Sequence, residues 1–403
     1  MKLSEELKWR GFWNQTTFTD EKIIDNTKFK LYLGTDPSAD SLHVGHLAVY
    51  MMVRRFIEHG HEVVLLVGGG TGAIGDMRDT EERELLALEE ITKNTKALST
   101  QVSKLFAGKN FELVNNYDWL KNIPLLPFLR DIGKKFNMAE LTSREFFKAR
   151  IKNGSGLSYA EFSYTILQGY DFLHLNREKG VNLQIGGSDQ WGNLLSGVEL
   201  IRKCENREAF AMTAPLVINK STGRKFGKSE GGAVWLDENK TSVYKFYQFW
   251  LNSDDNGAID YLKLFTMLSK EEIEKIETEH KKAPHLRLAQ KTLAREVTDL
   301  IHGENRRKAV EKVTETLFGN NDINALSSTE LKILASEIPT SKIGCDVISA
   351  LTENNLVKSA SEARRLIQNN AISINGQKIK ENQHINKISL IKKGKNSFVL
   401  IQE

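Results

Sequence analysis

Two imidazoles stand three residues apart in the run His43-Val44-Gly45-His46. One helical turn would aim both rings the same way, and Gly45 would leave no side chain to block a planar base or a polyphosphate. The bland alternatives are an ordinary loop feature or a fragment of a metal site. Zinc would need three or four ligands, and Cys204 and Cys345 lie far off in the sequence. A second group is carried by residues 160–173, AEFSYTILQGYDFL, where Tyr164, Gln168 and Asp171 fall at i, i+4 and i+7 on one helix face. Phe162, Ile166, Leu167, Tyr170 and Phe172 leave that helix little room for a wet side. Polar groups buried there without partners would cost about 1–3 kcal/mol each, so a pocket wall is expected. Further on, Gly186-Gly187-Ser188-Asp189-Gln190 presents Asp189 where it could cap the next helix or accept from ribose hydroxyls. Finally, residues 220–232, KSTGRKFGKSEGG, combine four glycines with four Lys or Arg and no aliphatic side chain. Such a loop should be mobile, and Lys225 and Lys228 with Ser229 could close over phosphates, because ammonium groups act as point charges.

These groups need elements to hold them. Residues 30–33 form a short apolar-leaning run that Gly34, Asp36 and Pro37 break, and HLAVYMMVRRFI over 46–57 then has helical spacing. Residues 62–67 read as a second strand, followed by glycines 68, 69, 70, 72 and 75 and the carboxylate candidate Asp76. Residues 80–105 read as a helix, 111–115 as a third strand, and 181–185 as a fourth before the Gly186-Gly187 turn. Repeated strand, glycine turn and helix predicts an α/β fold, a Rossmann-like doubly wound parallel sheet with ligands at the carboxyl ends of its strands. Residues 125–150 have amphipathic helical spacing with exposed-looking Phe128, Phe136, Met138, Phe146 and Phe147, which suits a subunit contact. From 241 to 319 the pattern is helical throughout, an all-α domain, and 320–341 is a polar joint. Two short helices and strands at 371–374 and 397–401 make the rest a small α+β module. The expected division is 1–219 for the catalytic domain, 220–320 for the loop and helical domain, 321–341 for a linker and 342–403 for the last domain.

A length of 403 residues with 40% apolar and 27% charged content is that of a globular, water-soluble chain of two or three domains. Its longest apolar runs, such as 63–67, are far short of the roughly 20 residues that span a bilayer. The opening MKLSEELKWRG has no apolar signal core, so a cytoplasmic location is expected, and two unpaired cysteines fit a reducing compartment. The net charge of +4 is unevenly placed. Residues 341–403 hold ten Lys and Arg against five Asp and Glu, which leaves 1–340 at −1. A basic module on a near-neutral body points to an anionic polymer.

With these residues in order, the chain resembles the bacterial-type tyrosyl-tRNA synthetases, class I aminoacyl-tRNA synthetases, over essentially its whole length. Residues 43–46 are similar to that class's first signature, HIGH, and Lys225-Phe226-Gly227-Lys228-Ser229 to its second, KMSKS. Between them lie FSYTILQGYDF and LQIGGSDQWGN at matching positions. The resemblance implies a tyrosine–tRNA ligase that forms tyrosyl-adenylate from L-tyrosine and ATP, then charges tRNA(Tyr). It implies that His43, His46, Lys225, Lys228 and Ser229 serve catalysis at the phosphates. Gly34, Asp36, Gly45, Gly187, Asp189 and Gln190 would contact ATP with those histidines and Lys228. Tyr32 and Asp171 would face the substrate phenol, and Asp76, Tyr164 and Gln168 its ammonium. Mg²⁺ would arrive with ATP, with no dedicated metal ligands in the protein. The last module resembles the S4 RNA-binding fold through ASEARRLIQNNAISINGQKI, which implies that Lys358, Arg364 and Arg365 meet tRNA phosphates. A homodimer is implied as well. One stretch departs from the family: after Asp76 the chain runs Met77 then RDTEERELLALEE, six acids against two bases, with Arg83 at a basic position. Two other readings are a synthetase-like RNA-binding protein without amino-acid activation and a tryptophan-charging enzyme; Tyr32 with Asp171 argues against the latter.

Overall fold

The computed structural model describes residues 1–76, 84–142, 148, 158–223, 225–229, 232–319 and 321–403. Contacts divide the chain into two compact units, one of Met1–Thr241 with Asn252–Leu293, the other of Ser242–Leu251 with Ala294–Glu403.

The first unit is built on five strands, β1 Lys30–Thr35, β2 Glu62–Val67, β3 Glu112–Asn115, β4 Leu183–Gly187 and β5 Phe210–Ala214. They lie in the order β3-β2-β1-β4-β5 with every neighbouring pair parallel. A parallel sheet is covered on both faces, so its strands read as near-continuous apolar runs; five of the six residues of β2 are buried. The strand order reverses between β1 and β4, and a crevice at such a switch point lies at the carboxyl ends of those strands. The helices of this unit include α1 Leu3–Arg10, α2 Val44–Glu58, α3 Leu88–Leu105, α4 Tyr159–Lys179 and α5 Trp191–Glu205. Further along come α6 Val243–Leu251, which groups with the second unit, and α7 Ala258–Phe265 and α8 Lys270–Lys282 of the first. The end of α7 is tied to the body by two buried guanidiniums. Arg10 donates to the Lys263 and Leu268 carbonyls at 2.8 and 2.6 Å, and Arg55 donates to that of Thr266.

The helix α4 shows why Tyr164, Gln168 and Asp171 share a face with so many aromatics. It is 21 residues long, capped by Ser158 at one end and by Gly180 in the left-handed region at the other. Its Phe172, Leu173 and Leu175 join Tyr32, Val64, Leu66 and Ile201 in one core. It meets α5 at very short range: a Cβ at Gly169 would lie 3.4 Å from the Ser196 backbone, and one at Gly197 would lie 2.7 Å from the Phe172 ring.

Several expectations are corrected. The described part of 125–150 is two helical pieces, 125–135, which passes from α through π to 3-10 winding, and Met138–Thr142, not one long helix. Phe136 turns to an extended conformation and separates the two pieces, and Phe128 and Phe136 pack against the core instead of facing out. Leu125, Leu126, Leu129 and Met138 are exposed, whereas Phe146 and Phe147 lie outside the described residues. Strand β5 was not anticipated. Helix α3 begins only at Leu88, and 77–83, with Arg83, lie outside the described residues.

The second unit contains α6, the end of α9 Leu288–His302, α10 Glu304–Phe318, α11 Ser328–Glu337, α12 Val347–Glu353 and α13 Ala360–Gln368. The helical stretch from 241 to 319 is therefore shared between the units. Strands β6 Thr340–Lys342, β7 Ile372–Ile374, β8 Gln377–Lys378, β9 Ser389–Lys393 and β10 Ser397–Gln402 form a sheet in the order β8-β7-β9-β10-β6. Val347, Leu351, Ala363, Ile367, Ile391 and Val399 form its core. The polar joint carries α11 and β6: Ser327 and Glu330 cap the helix reciprocally, and Leu334 packs with Val313, Leu317 and Leu400.

Candidate active site

One end of the crevice is closed and polar. Tyr32 on β1 is 1% exposed, in register with Val64 of β2 and Gln184 of β4, and its ring lies 5.3 Å from that of Phe172. Asp171 on α4 is 2% exposed. Its Oδ2 accepts from Asn116 Nδ2 at 2.9 Å and its Oδ1 from Trp119 Nε1 at 2.8 Å. Burial opposes the charge and outweighs those two donors, with help from Asp36, so the Asp171 carboxyl is pushed up to about 7. Burial, then the nearby Asp171 charge, raises the Tyr32 phenol well above its ordinary range, so it stays a neutral hydroxyl. The two groups expected around a phenol therefore converge. Three buried atoms here have no hydrogen-bond partner among the described residues: Oη of Tyr32, Oε1 of Gln168 and Oε1 of Gln184.

The middle of the crevice is a carboxylate network. Tyr164 Oη donates to Asp36 Oδ2 at 2.9 Å and Thr71 Oγ1 donates to Asp36 Oδ1 at 2.7 Å. A Cβ at Gly68 would fall 2.0 Å from that carboxylate, which explains a glycine at the end of β2. Asp76 accepts from Gln190 Nε2 at 2.7 Å and from Asn193 Nδ2 at 3.3 Å. Asp36 and Gln190, grouped above with ATP, thus hydrogen-bond to Tyr164 and Asp76 of the tyrosine set.

The other end is open. His43 caps α2, its Nδ1 accepting from Gly45 N at 3.0 Å, while His46 Nδ1 accepts from His43 N at 3.2 Å. With both Nδ1 atoms occupied as acceptors, each neutral ring carries its proton on Nε2 and can donate from there. The ring centroids are 3.9 Å apart. Burial, then His43, pushes His46 down to about 3, so it serves as a neutral donor and not a cation. Gly45 is exposed, and a Cβ there would come within 2.8 Å of the His43 ring. Gly34 is exposed at the end of β1; Gly187 ends β4 and the exposed Asp189 follows it.

The basic loop meets this end through its backbone. Gly227 has φ +89°, and a Cβ on it would lie 3.0 Å from Gly45 N. Val234 N donates to the Gly227 carbonyl and Val44 N to that of Val234, each at 2.9 Å. The two signatures are thus neighbours. The loop was expected to be mobile, yet Phe226 is buried, its ring 4.2 Å from Tyr261 and 5.7 Å from Phe265 of α7. Lys225 is exposed. Lys228 and Ser229 form a short strand whose side chains lie outside what the structure describes. In the second unit, Lys358, Arg364 and Arg365 are exposed on α13 and the turn before it.

Sequence reasoning missed Asn116, Trp119, Thr71, Asn193, Thr165 and Gln184. Asn116 carried a usable signal, since it directly follows the carboxyl end of β3, where ligand-facing groups gather in such sheets. Among the described residues no three His, Cys, Asp or Glu side chains gather as a metal site, and no helix is long and apolar enough to cross a membrane.

Comparison with known proteins agrees with this geometry. Residues 25–319 match the class I tRNA synthetases for tryptophan and tyrosine, and residues 330–402 match the C-terminal domain of tyrosine–tRNA ligases. Tyrosine–tRNA ligase 2 of Bacillus cereus is 44% identical over 421 aligned positions, covering 100% of this chain and 99% of its own length. The tyrosine–tRNA ligase of Staphylococcus epidermidis is 44% identical over 417, covering 99% and 98%. The crystal structure of a C-terminally truncated mitochondrial tyrosyl-tRNA synthetase from Aspergillus nidulans superposes with a TM-score of 0.71 at 30% identity, over 79% of this chain and 94% of that one. The fold, both signatures and full-length similarity converge: this chain belongs to the tyrosine–tRNA ligases, class I aminoacyl-tRNA synthetases.

Proposed function

We propose that the residues assembled above carry out the two steps of that family in the following way. Tyr32 donates to the phenol oxygen of L-tyrosine while Asp171 accepts its proton, and Asp76, Tyr164 and Gln168 receive the ammonium. The carboxylate then attacks the α-phosphorus of ATP and pyrophosphate leaves. Neither this step nor transfer to the terminal ribose of tRNA(Tyr) needs a protein nucleophile, so the rate comes from position and from charge complementarity. His43 and His46 donate from Nε2 to phosphate oxygens. Gly34, Gly45 and Gly187 let the nucleotide approach, with Asp36 and Gln190 bordering it, and Asp189 accepts from the ribose. Lys225, Lys228 and Ser229 close over the departing pyrophosphate, and Mg²⁺ enters as part of the nucleotide substrate.

The observation that carries this reading is the buried, unpartnered Tyr32 hydroxyl beside Asp171, together with the unpartnered Oε1 of Gln168. Leaving the buried Tyr32 hydroxyl without a partner costs about 1–3 kcal/mol, so phenylalanine is disfavoured by what it lacks. ATP–pyrophosphate exchange tests this with tyrosine, phenylalanine and tryptophan in turn. Exchange with tyrosine alone is expected; exchange with tryptophan, or none at all, overturns it.

For the polymer, Lys358, Arg364 and Arg365 pair with tRNA phosphates, which orients the RNA without reading its sequence. The exposed Leu125, Leu126, Leu129, Met138 and Tyr159 supply an apolar surface for a homodimer. The proposed location is the cytoplasm.

A further inference from the structure

The close approach of α4 and α5 has a polar counterpart one turn away. Thr165 stands four residues before Gly169 and Asn193 four before Gly197, so both short side chains lie on the faces that the glycines bring together. Thr165 and Asn193 are 3% and 4% exposed, and Thr165 Oγ1 donates to Asn193 Oδ1 at 2.8 Å. A side-chain amide can sit either way round, and its partners decide which. With its oxygen held by a hydroxyl proton, Asn193 turns its NH₂ toward Asp76 Oδ1 at 3.3 Å and Gln190 Oε1 at 3.2 Å. Gln190, so oriented, gives Nε2 to Asp76 Oδ2 at 2.7 Å. Each Asp76 oxygen therefore accepts from an amide, and both amides trace their orientation to one hydroxyl on another helix.

We infer that Thr165 and Asn193 are positioning residues that aim the Asp76 carboxylate at the α-ammonium of the amino-acid substrate. The inference rests on the proposed role of Asp76 as ammonium acceptor. An ammonium group offers three protons. One Asp76 oxygen, the Tyr164 Oη lone pairs left after its bond to Asp36, and the unpartnered Gln168 Oε1 are the acceptors for them. If Asn193 turned over, its oxygen would face the carboxylate and push it off that line.

The test compares Thr165→Val, which keeps shape and loses the donor, with Thr165→Ser, which keeps the donor. Pyrophosphate exchange gives KM for tyrosine and for ATP. Competitive inhibition by 3-(4-hydroxyphenyl)propionate, which has the phenol and carboxylate but no amine, gives a Ki that ignores the ammonium. Thr165→Val is expected to raise the tyrosine KM about tenfold while the inhibitor Ki and ATP KM stay within about twofold, and Thr165→Ser to restore the tyrosine KM. An unchanged tyrosine KM, or an inhibitor Ki that rises in parallel with it, overturns the inference, the second outcome marking a general loosening of the helix seam. Asp76→Asn separates the two levels. If it weakens tyrosine and spares the inhibitor while Thr165→Val does not, only the positioning role falls. If Asp76→Asn fails to distinguish the two compounds, the ammonium-acceptor reading falls and the inference with it.

Discussion

At the end of the crevice proposed to hold the phenol, Asp171 takes its donors from Asn116 and Trp119, side chains more than fifty residues away in sequence, and is 2% exposed. At the end proposed to take the phosphates, His43 and His46 are oriented by backbone N–H groups of their own turn, next to an exposed Gly45. The contrast follows from what each end is proposed to do. Discrimination of a hydroxyl needs groups kept dry and fixed by the fold, because only then does a missing partner cost much. A site that admits ATP and releases pyrophosphate has to open, and turns with exposed glycines supply that.

Breaking the buried end should have the largest effect. Asp171→Ala leaves two buried donors unpaired, so kcat/KM for tyrosine in pyrophosphate exchange should fall about 1,000-fold, with the gap between tyrosine and phenylalanine narrowed. A loss under tenfold would contradict the picture of a closed hydroxyl-sensing end. At the open end, His46→Ala should cut kcat about 100-fold, the usual size for one donor to a developing charge, and leave the tyrosine KM nearly unchanged. A comparable rise in that KM would mean the two ends are not separable. Tyr32→Phe sharpens the contrast because function and stability move oppositely. Tyrosine kcat/KM should drop about 30-fold, whereas the melting temperature should hold or rise because an unpartnered buried hydroxyl is gone.

The smallest effect is the one with pH. If the ionised Asp171 accepts from the substrate phenol, the tyrosine KM should fall about fivefold from pH 6 to pH 8, and Asp171→Asn should abolish that slope. The two ends also shift stability in opposite directions. Folded Asp171 keeps its proton up to about 7 while the unfolded carboxyl releases it near 3.8, so its contribution declines as pH rises through that window. Folded His46 stays neutral down to about 3 while the unfolded imidazole titrates near 6.5, so its contribution declines as pH falls below 6.5.

The same contrast explains what could be read in advance. Strands β1 and β2 and the turns after β1, β2 and β4 announce themselves through apolar runs cut off by glycine, and the faces of α4 through helical spacing. Strand β5, FAMTA, is short, three of its five residues are alanine or threonine, and Arg207 and Glu208 stand just before it, so nothing local marks it. In 125–150, apolar spacing pointed to one helix, whereas the chain turns extended at Phe136 and buries part of that apolar set in the core. The histidine pair could be placed because its bonds are local. Asn116, Trp119, Thr165 and Asn193 could not, because each acquires its role only when distant elements pack, and a threonine among aromatics on α4 looks like filler until α5 is beside it.

The seat of Phe226 on Tyr261 and Phe265 has its own consequence. Stacked rings are indifferent to dissolved ions, whereas ammonium groups reaching for phosphates are screened by them. Raising ionic strength should therefore loosen the loop's hold on its cargo without displacing its point of attachment, leaving a protein whose latch stays in register while its grip weakens.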